Sequence, residues 1–161
     1  MREISPLQKE RLNYQPKLAG ALANGINSVK LALGEATTSV ADMEDIKNLF
    51  PNVYGKPIAK FAAEGALLST EKKNVGVILS GGQAPGGHNV IAGLYDALKT
   101  ANKENKLFGF LGGPSGIVDG EYMELTDEIM DKYRNTGGFD IIGSGRTKLE
   151  TEDQFKKALA K

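Results

Sequence analysis

Ser80-Gly-Gly-Gln-Ala-Pro-Gly-Gly-His-Asn89 carries four glycines immediately after the apolar run Val75-Gly-Val-Ile-Leu79. Glycines at such a junction let consecutive backbone N–H groups approach a ligand with no side chain in the way, which suits a phosphate or pyrophosphate. Gly81 and Gly82 are the candidates for that contact. The helical pattern that follows, Val90, Ile91, Leu94, Tyr95 and Leu98, adds the positive end of a helix dipole. The same composition also suits a plain structural turn. A second stretch, Gly143-Ser-Gly-Arg-Thr-Lys148, follows the short apolar run Phe139-Asp-Ile-Ile142. Arg146 can grip a phosphate with two parallel hydrogen bonds, and Lys148, two residues on, can add charge. Alone, the pair would read as two solvated surface cations. Two loops of complementary chemistry at strand ends, however, fall at the same edge of one sheet, where α/β proteins bind their ligands.

Other chemistries find less support. Gly81 and Gly86 have Walker A spacing, but Gly87 and His88 stand where Lys and Ser/Thr are required, and Gly-x-Gly-x-x-Gly is also missing. No Gly-x-Ser-x-Gly elbow occurs. Ser115, in Gly112-Gly-Pro-Ser-Gly116, could donate to a ligand, although Gly-Pro turn chemistry explains that loop without one. The acidic series Asp119, Glu121, Glu124, Asp127, Glu128 and Asp131 reads as a helix start and a solvated face rather than a metal site. His88 is the single histidine, which removes histidine-rich zinc sites and reads as a locally hydrogen-bonded side chain before it reads as a catalytic base. Without cysteine there are no disulfides and no thiolate sites.

The elements that must position these loops divide at about Lys73. Residues 1–73 read as a helical extension. Leu18, Leu22, Ile26, Val29 and Leu33 predict a helix closed by Gly34. A second helix is expected over 40–50, capped by Ser39 and closed by Pro51, and another turn or two over 61–68. Residues 74–161 alternate strand and helix, with strands at 75–79, 107–111 and 139–142 and helices after Asn89, from Asp127 to Arg134 behind Thr126, and after the capping box Thr151-Glu-Asp-Gln154. The last helix is expected to bury Phe155, Ala158 and Leu159. This pattern predicts an α/β fold, the first half of a doubly wound and mostly parallel sheet, with a donor-binding part that is incomplete and a further strand expected beyond Lys161.

Charge and composition set outer bounds. The chain has 161 residues with 20 Lys+Arg against 20 Asp+Glu, so it lacks the clustered positive charge that nucleic acids or anionic membranes demand. A small phosphate site is compatible with that balance. No apolar run approaches the roughly 20 residues of a membrane helix, and the polar opening residues, unlike a signal peptide, point to the cytoplasm.

Val77-Ile-Leu-Ser-Gly-Gly-Gln-Ala-Pro-Gly-Gly-His-Asn-Val-Ile91 resembles the first phosphate loop of the phosphofructokinase family, and Gly143-Ser-Gly-Arg-Thr-Lys-Leu-Glu-Thr151 includes a segment similar to its arginine-bearing loop. Gln83, where the ATP enzymes have Asp, together with Ser5-Pro-Leu-Gln8 and Tyr14-Gln-Pro-Lys-Leu18, looks like the long pyrophosphate-dependent branch. The resemblance implies transfer of a phosphoryl group from pyrophosphate to the C1 hydroxyl of fructose 6-phosphate, with Mg²⁺ bridging the donor and the protein forming a homo-oligomer. An ATP-dependent relative or a non-catalytic regulatory subunit is the alternative. It further implies that Gly81 and Gly82 present amides to the donor and that Arg146, assisted by Lys148, neutralises its charge. The family's metal loop and its Thr-Ile-Asp catalytic motif are absent from these residues, so catalytic and metal-binding groups are expected beyond Lys161, and the chain alone is expected to be inactive.

Overall fold

A computed structural model describes residues 5–25, 28–63 and 69–161. In chain order the elements are α1 (Pro6–Asn13), a 3-10 turn (Gly20–Leu22), β1 (Lys30–Ala36), α2 (Met43–Leu49), β2 (Pro57–Ala62), β3 (Asn74–Val77), α3 (Gly87–Ala101), β4 (Lys106–Phe110), α4 (Pro114–Asp119), β5 (Tyr122–Leu125), α5 (Asp127–Tyr133) and α6 (Glu152–Leu159). They fall into two compact units, Lys17–Leu68 and a second made of Met1–Pro16 with Ser69–Lys161.

The smaller unit is not the helical segment expected for it. β1 and β2 pair antiparallel, with Leu31 opposite Phe61 and Leu33 opposite Ala59. The apolar residues near period 3.6 misled because Lys30-Leu-Ala-Leu33 also satisfies period two, and the partners that decide between them lie some 30 positions away. Gly34 does not close a helix but lies within β1, where an added Cβ would stand 3.2 Å from the Ile58 carbonyl. The expected helix over 40–50 shortens to α2. Asp42 at φ 51 precedes it, and Ser39 Oγ bonds the Ala41 carbonyl at 2.5 Å instead of capping. Of the turns expected over 61–68, Phe61 and Ala62 end β2, and 64–68 lie outside the described residues.

In the larger unit the sheet order is β3-β4-β5. β3 and β4 run parallel with Val75 beside Leu107, and β4 and β5 run antiparallel with Leu107 beside Leu125. The fold class is α/β as expected, and this three-stranded sheet has one parallel and one antiparallel pairing. α3 presents Ile91, Ala92 and Tyr95 to the core, where Leu107, Leu125, Met130, Ile141 and Ile142 join them. Each fully buried side chain such as Ile91 or Leu107 contributes about 1.5–3 kcal/mol relative to exposure. β5 was not anticipated, because its alternation Tyr-Met-Glu-Leu lasts only four residues inside an acidic series.

Two local expectations need correction. Phe139–Ile142 forms no strand. Ile141 and Ile142 are buried all the same, and their backbone bonds go to His88 and Gly112 rather than to a ladder. α6 has its full capping box, yet Phe155 and Leu159 are 55% and 89% exposed. Among the described residues no helix is long and apolar enough to cross a membrane.

Candidate functional site

The strand pair β3–β4 delivers two glycine-bearing turns to one edge, and backbone bonds tie a third, at 143–146, to them. Ser80 and Gly145 form a single parallel bridge, and the Gly81 amide donates to the Gly145 carbonyl at 2.8 Å. The Gly112 amide donates to the Ile142 carbonyl at 2.8 Å. Gly113 and Gly145 pack backbone to backbone so closely that a Cβ on Gly113 would collide with the Gly145 nitrogen. Only glycine fits there. Segment 143–146 is thus wedged between the turns that follow β3 and β4.

This wedge places Arg146 against the first glycine loop. A Cβ on Gly82 would stand 2.6 Å from Nη2 of Arg146, so the guanidinium lies directly over the Gly82 backbone. Arg146 is exposed and makes no hydrogen bond or ion pair among the described residues. The amides of Gly82 and Gln83 likewise donate to no protein acceptor among those residues. A cation with no described partner beside backbone donors with none is chemically able to hold an anion with several oxygens.

Gly81 departs from the expectation that it offers its amide to a ligand. That N–H is already spent on Gly145, and at φ 106 the residue serves to bend the loop. The start of α3 is also less open than expected. The Gly86 amide donates to Gly137 at 2.9 Å and the His88 amide to Gly138 at 3.0 Å, so protein carbonyls take the donors that a phosphate would need. The amides of Gly82, Gln83, Ala84 and Gly87 donate to no described acceptor, and of these residues Gly82 lies against Arg146. Lys148 is exposed, and no described contact ties it to either loop. Gly82 and Arg146 are brought together, whereas Gly81 acts through Gly145 and Lys148 stands apart.

The remaining candidates have local partners. Ser115 Oγ donates to the Gly112 carbonyl at 3.2 Å, from the first turn of α4 back to the turn before it. Of the acidic series, Asp127 accepts from the Tyr95 hydroxyl at 2.8 Å, Glu124 pairs with Lys106 and Glu128 with Lys132 at 2.9 Å each, and Asp131 lies 3.7 Å from Arg134 Nε. Burial and the bond to Asp127 push the Tyr95 hydroxyl up to about 12, and Lys132 holds the Glu128 carboxyl below its ordinary value. The described residues contain no group of three or more His, Cys, Asp or Glu able to hold a metal ion. Arg134, a residue that sequence reasoning passed over, bonds Asp96 at 2.6 Å, and this hydrogen bond holds its guanidinium above the ordinary value. His88 is buried, and its ring is hydrogen-bonded not locally, as expected, but to Thr136 and Ile141, 48 and 53 positions away.

The chain is thus an α/β protein with glycine turns and a free arginine at its parallel strand ends, where α/β proteins bind their ligands. No family model matches the chain. Individual relatives do. Over 155 residues, 96% of this chain and 28% of the relative, it is 53% identical to the pyrophosphate–fructose 6-phosphate 1-phosphotransferase of Porphyromonas gingivalis. It is 46% identical to the protein of that name from Treponema pallidum and 47% identical to that from Entamoeba histolytica, again over 96% of its length and 29% and 28% of theirs. The chain belongs to this family, the pyrophosphate-dependent phosphofructokinases, and spans somewhat over a quarter of the length of the curated relatives it matches. The crystal structure of Pichia pastoris phosphofructokinase in the T-state overlaps 64% of this chain and 12% of its own, with TM-score 0.42 and 22% identity. Family membership rests on the sequence relatives alone.

Proposed function

We propose that this chain supplies the phosphoryl-donor side of a phosphotransferase that moves a phosphoryl group from pyrophosphate to the C1 hydroxyl of fructose 6-phosphate. The products are fructose 1,6-bisphosphate and phosphate. The observation that carries the reading is the unpaired Arg146 guanidinium lying over Gly82 at the parallel strand ends. The names of the relatives supply the substrates. In such transfers the protein works mainly by positioning and by neutralising charge on the non-transferred oxygens. Arg146 would bind the donor bidentately, the Gly82 amide would donate to a second oxygen, and Lys148 would add longer-range attraction. Gly81 contributes by holding Gly145, and through it the loop that carries Arg146.

Within this reading residues 74–161 are the donor-binding part and the preceding segment an extension. The described carboxylates do not fit a Mg²⁺ site, so no step here runs through a metal. Pyrophosphate and sugar phosphates are polyanions that membranes retain, which is compatible with an activity in the cytoplasm. The test is the whole protein incubated with fructose 6-phosphate and either pyrophosphate or ATP. Fructose 1,6-bisphosphate is expected with pyrophosphate, and Arg146→Ala is expected to lower kcat/KM for the donor about tenfold or more, as loss of a charged hydrogen bond predicts. Product with ATP alone would overturn the donor assignment. An undiminished Arg146→Ala enzyme would overturn the site.

A further inference from the structure

His88 takes no part in the anion contacts, yet it is 2% exposed and sits where the two arms of the site meet. Its backbone N–H donates to Gly138, and its ring packs so closely on Gly138 that a Cβ there would stand 2.6 Å from Cε1. Thr136 Oγ1 spends its own proton on the Tyr133 carbonyl at 2.6 Å, so it must accept from His88 Nδ1, also at 2.6 Å. Nδ1 therefore carries the hydrogen. The Ile141 amide donates to Nε2 at 3.2 Å in a buried contact, which requires a lone pair on that nitrogen. The neutral ring thus bonds both ends of the 136–141 segment. Ile142, the next residue, accepts from Gly112, and Arg146 follows four residues later.

The same nitrogen has a second neighbour. Asp140 Oδ1 lies 3.0 Å from Nε2 on a carboxylate that is 79% exposed. Asp140 and Tyr133, whose ring meets the imidazole edge-on at 4.8 Å, are the ionisable groups described against the ring. A proton on Nε2 would point one donor at another, the Ile141 N–H, and would find its acceptor in Asp140. The segment cannot keep both bonds. We propose that His88 is a positioning residue whose neutral ring latches residues 136–142 beneath Arg146, and that protonation at Nε2 opens the latch and weakens pyrophosphate binding. The second half rests on the function proposed above, and the first does not.

The experiment uses the whole protein as wild type, His88→Gln, His88→Leu and Asp140→Asn, at about pH 7.5 and on acidification to about pH 5.5. Hydrogen exchange of the peptide containing Ile141 reads the latch, and calorimetric titration with pyrophosphate reads its consequence. Values are taken as ratios to His88→Gln at each pH, which cancels the protonation of pyrophosphate and the intrinsic pH dependence of exchange. Gln offers an acceptor that does not titrate, and Leu offers none. At the upper pH, wild type and His88→Gln are expected to agree, with His88→Leu exchanging faster and binding pyrophosphate about three- to tenfold more weakly, the loss of one hydrogen bond. On acidification wild type is expected to move toward His88→Leu. Asp140→Asn, a surface change that spares the core, removes the carboxylate that would accept from a protonated Nε2 and is expected to make the change on acidification smaller. A wild-type ratio that stays constant with pH, or His88→Leu equal to wild type at the upper pH, would overturn the proposal. If no form binds pyrophosphate, the functional reading falls, and the exchange ratios still decide the latch.

Discussion

Replacing Gly82 with alanine tests the contact between the two loops with the smallest available change. The new Cβ would stand 2.6 Å from Nη2 of Arg146 and 3.6 Å from its Cζ. Non-bonded heavy atoms settle at about 3.5–4.0 Å, so the guanidinium must retreat by roughly 1 Å. Gly82 is not among the positive-φ residues, and the obstructing atom is the far end of a flexible side chain, so the backbone need not move. Folding stability is therefore expected to change by no more than about 0.5 kcal/mol. Binding is another matter. A charge-assisted hydrogen bond near 2.8 Å does not survive a displacement of that size, and its loss costs about 1.5–3 kcal/mol, or roughly 10- to 150-fold in Kd. Pyrophosphate titration calorimetry and a thermal melt on the same sample separate the two effects. Because both substitutions act on one contact, adding Gly82→Ala to Arg146→Ala is expected to cost little beyond Arg146→Ala alone. Full additivity, or a Gly82→Ala protein that binds pyrophosphate as wild type does, would refute the reasoning.

Two further outcomes follow from the packing of the larger unit. Tyr95→Phe removes the hydroxyl bond to Asp127 and is expected to lower stability by about 0.5–1.5 kcal/mol near neutral pH. The folded-state value of this hydroxyl, about 12, lies above its ordinary value of 10.0, so its contribution is complete below the unfolded value and drains away as the pH rises through the folded one. Denaturant midpoints followed toward alkaline pH should therefore converge for the two proteins, and a constant gap would contradict the assignment. Gly113→Ala places a Cβ into the Gly145 backbone at φ 84, and strain plus overpacking predict a loss of about 2–5 kcal/mol. A Gly113→Ala protein with an unchanged melting temperature would show that the turns are not held as described.

The parallel pair and the two loops could be read from the sequence because each depends on neighbouring residues. Val75 and Leu107 open short apolar runs that end in glycine, and Thr151 with Gln154 writes its capping box within four positions. What escaped depends on distant partners. Leu31 and Leu33 become strand residues only because Phe61 and Ala59 lie across from them. Ile141 leaves the ladder because a histidine 53 positions earlier accepts its amide. Gly81 shows the limit most clearly. Its type and place correctly mark a tight loop at a strand end, but nothing local reveals that the Gly145 carbonyl takes its N–H and leaves the free donors one residue later. Arg146 was identifiable as a candidate from its company of glycines. Its seat over Gly82 follows from the Gly113–Gly145 contact, which joins two turns more than 30 residues apart.

The central claim is that one anion meets both the Gly82 amide and the Arg146 guanidinium. A crystal structure of the whole protein with pyrophosphate bound tests it most directly. Oxygens of a single pyrophosphate are expected within about 3 Å of the Gly82 nitrogen and of the Arg146 guanidinium nitrogens. Pyrophosphate seated elsewhere, with Arg146 turned to solvent, would contradict the account.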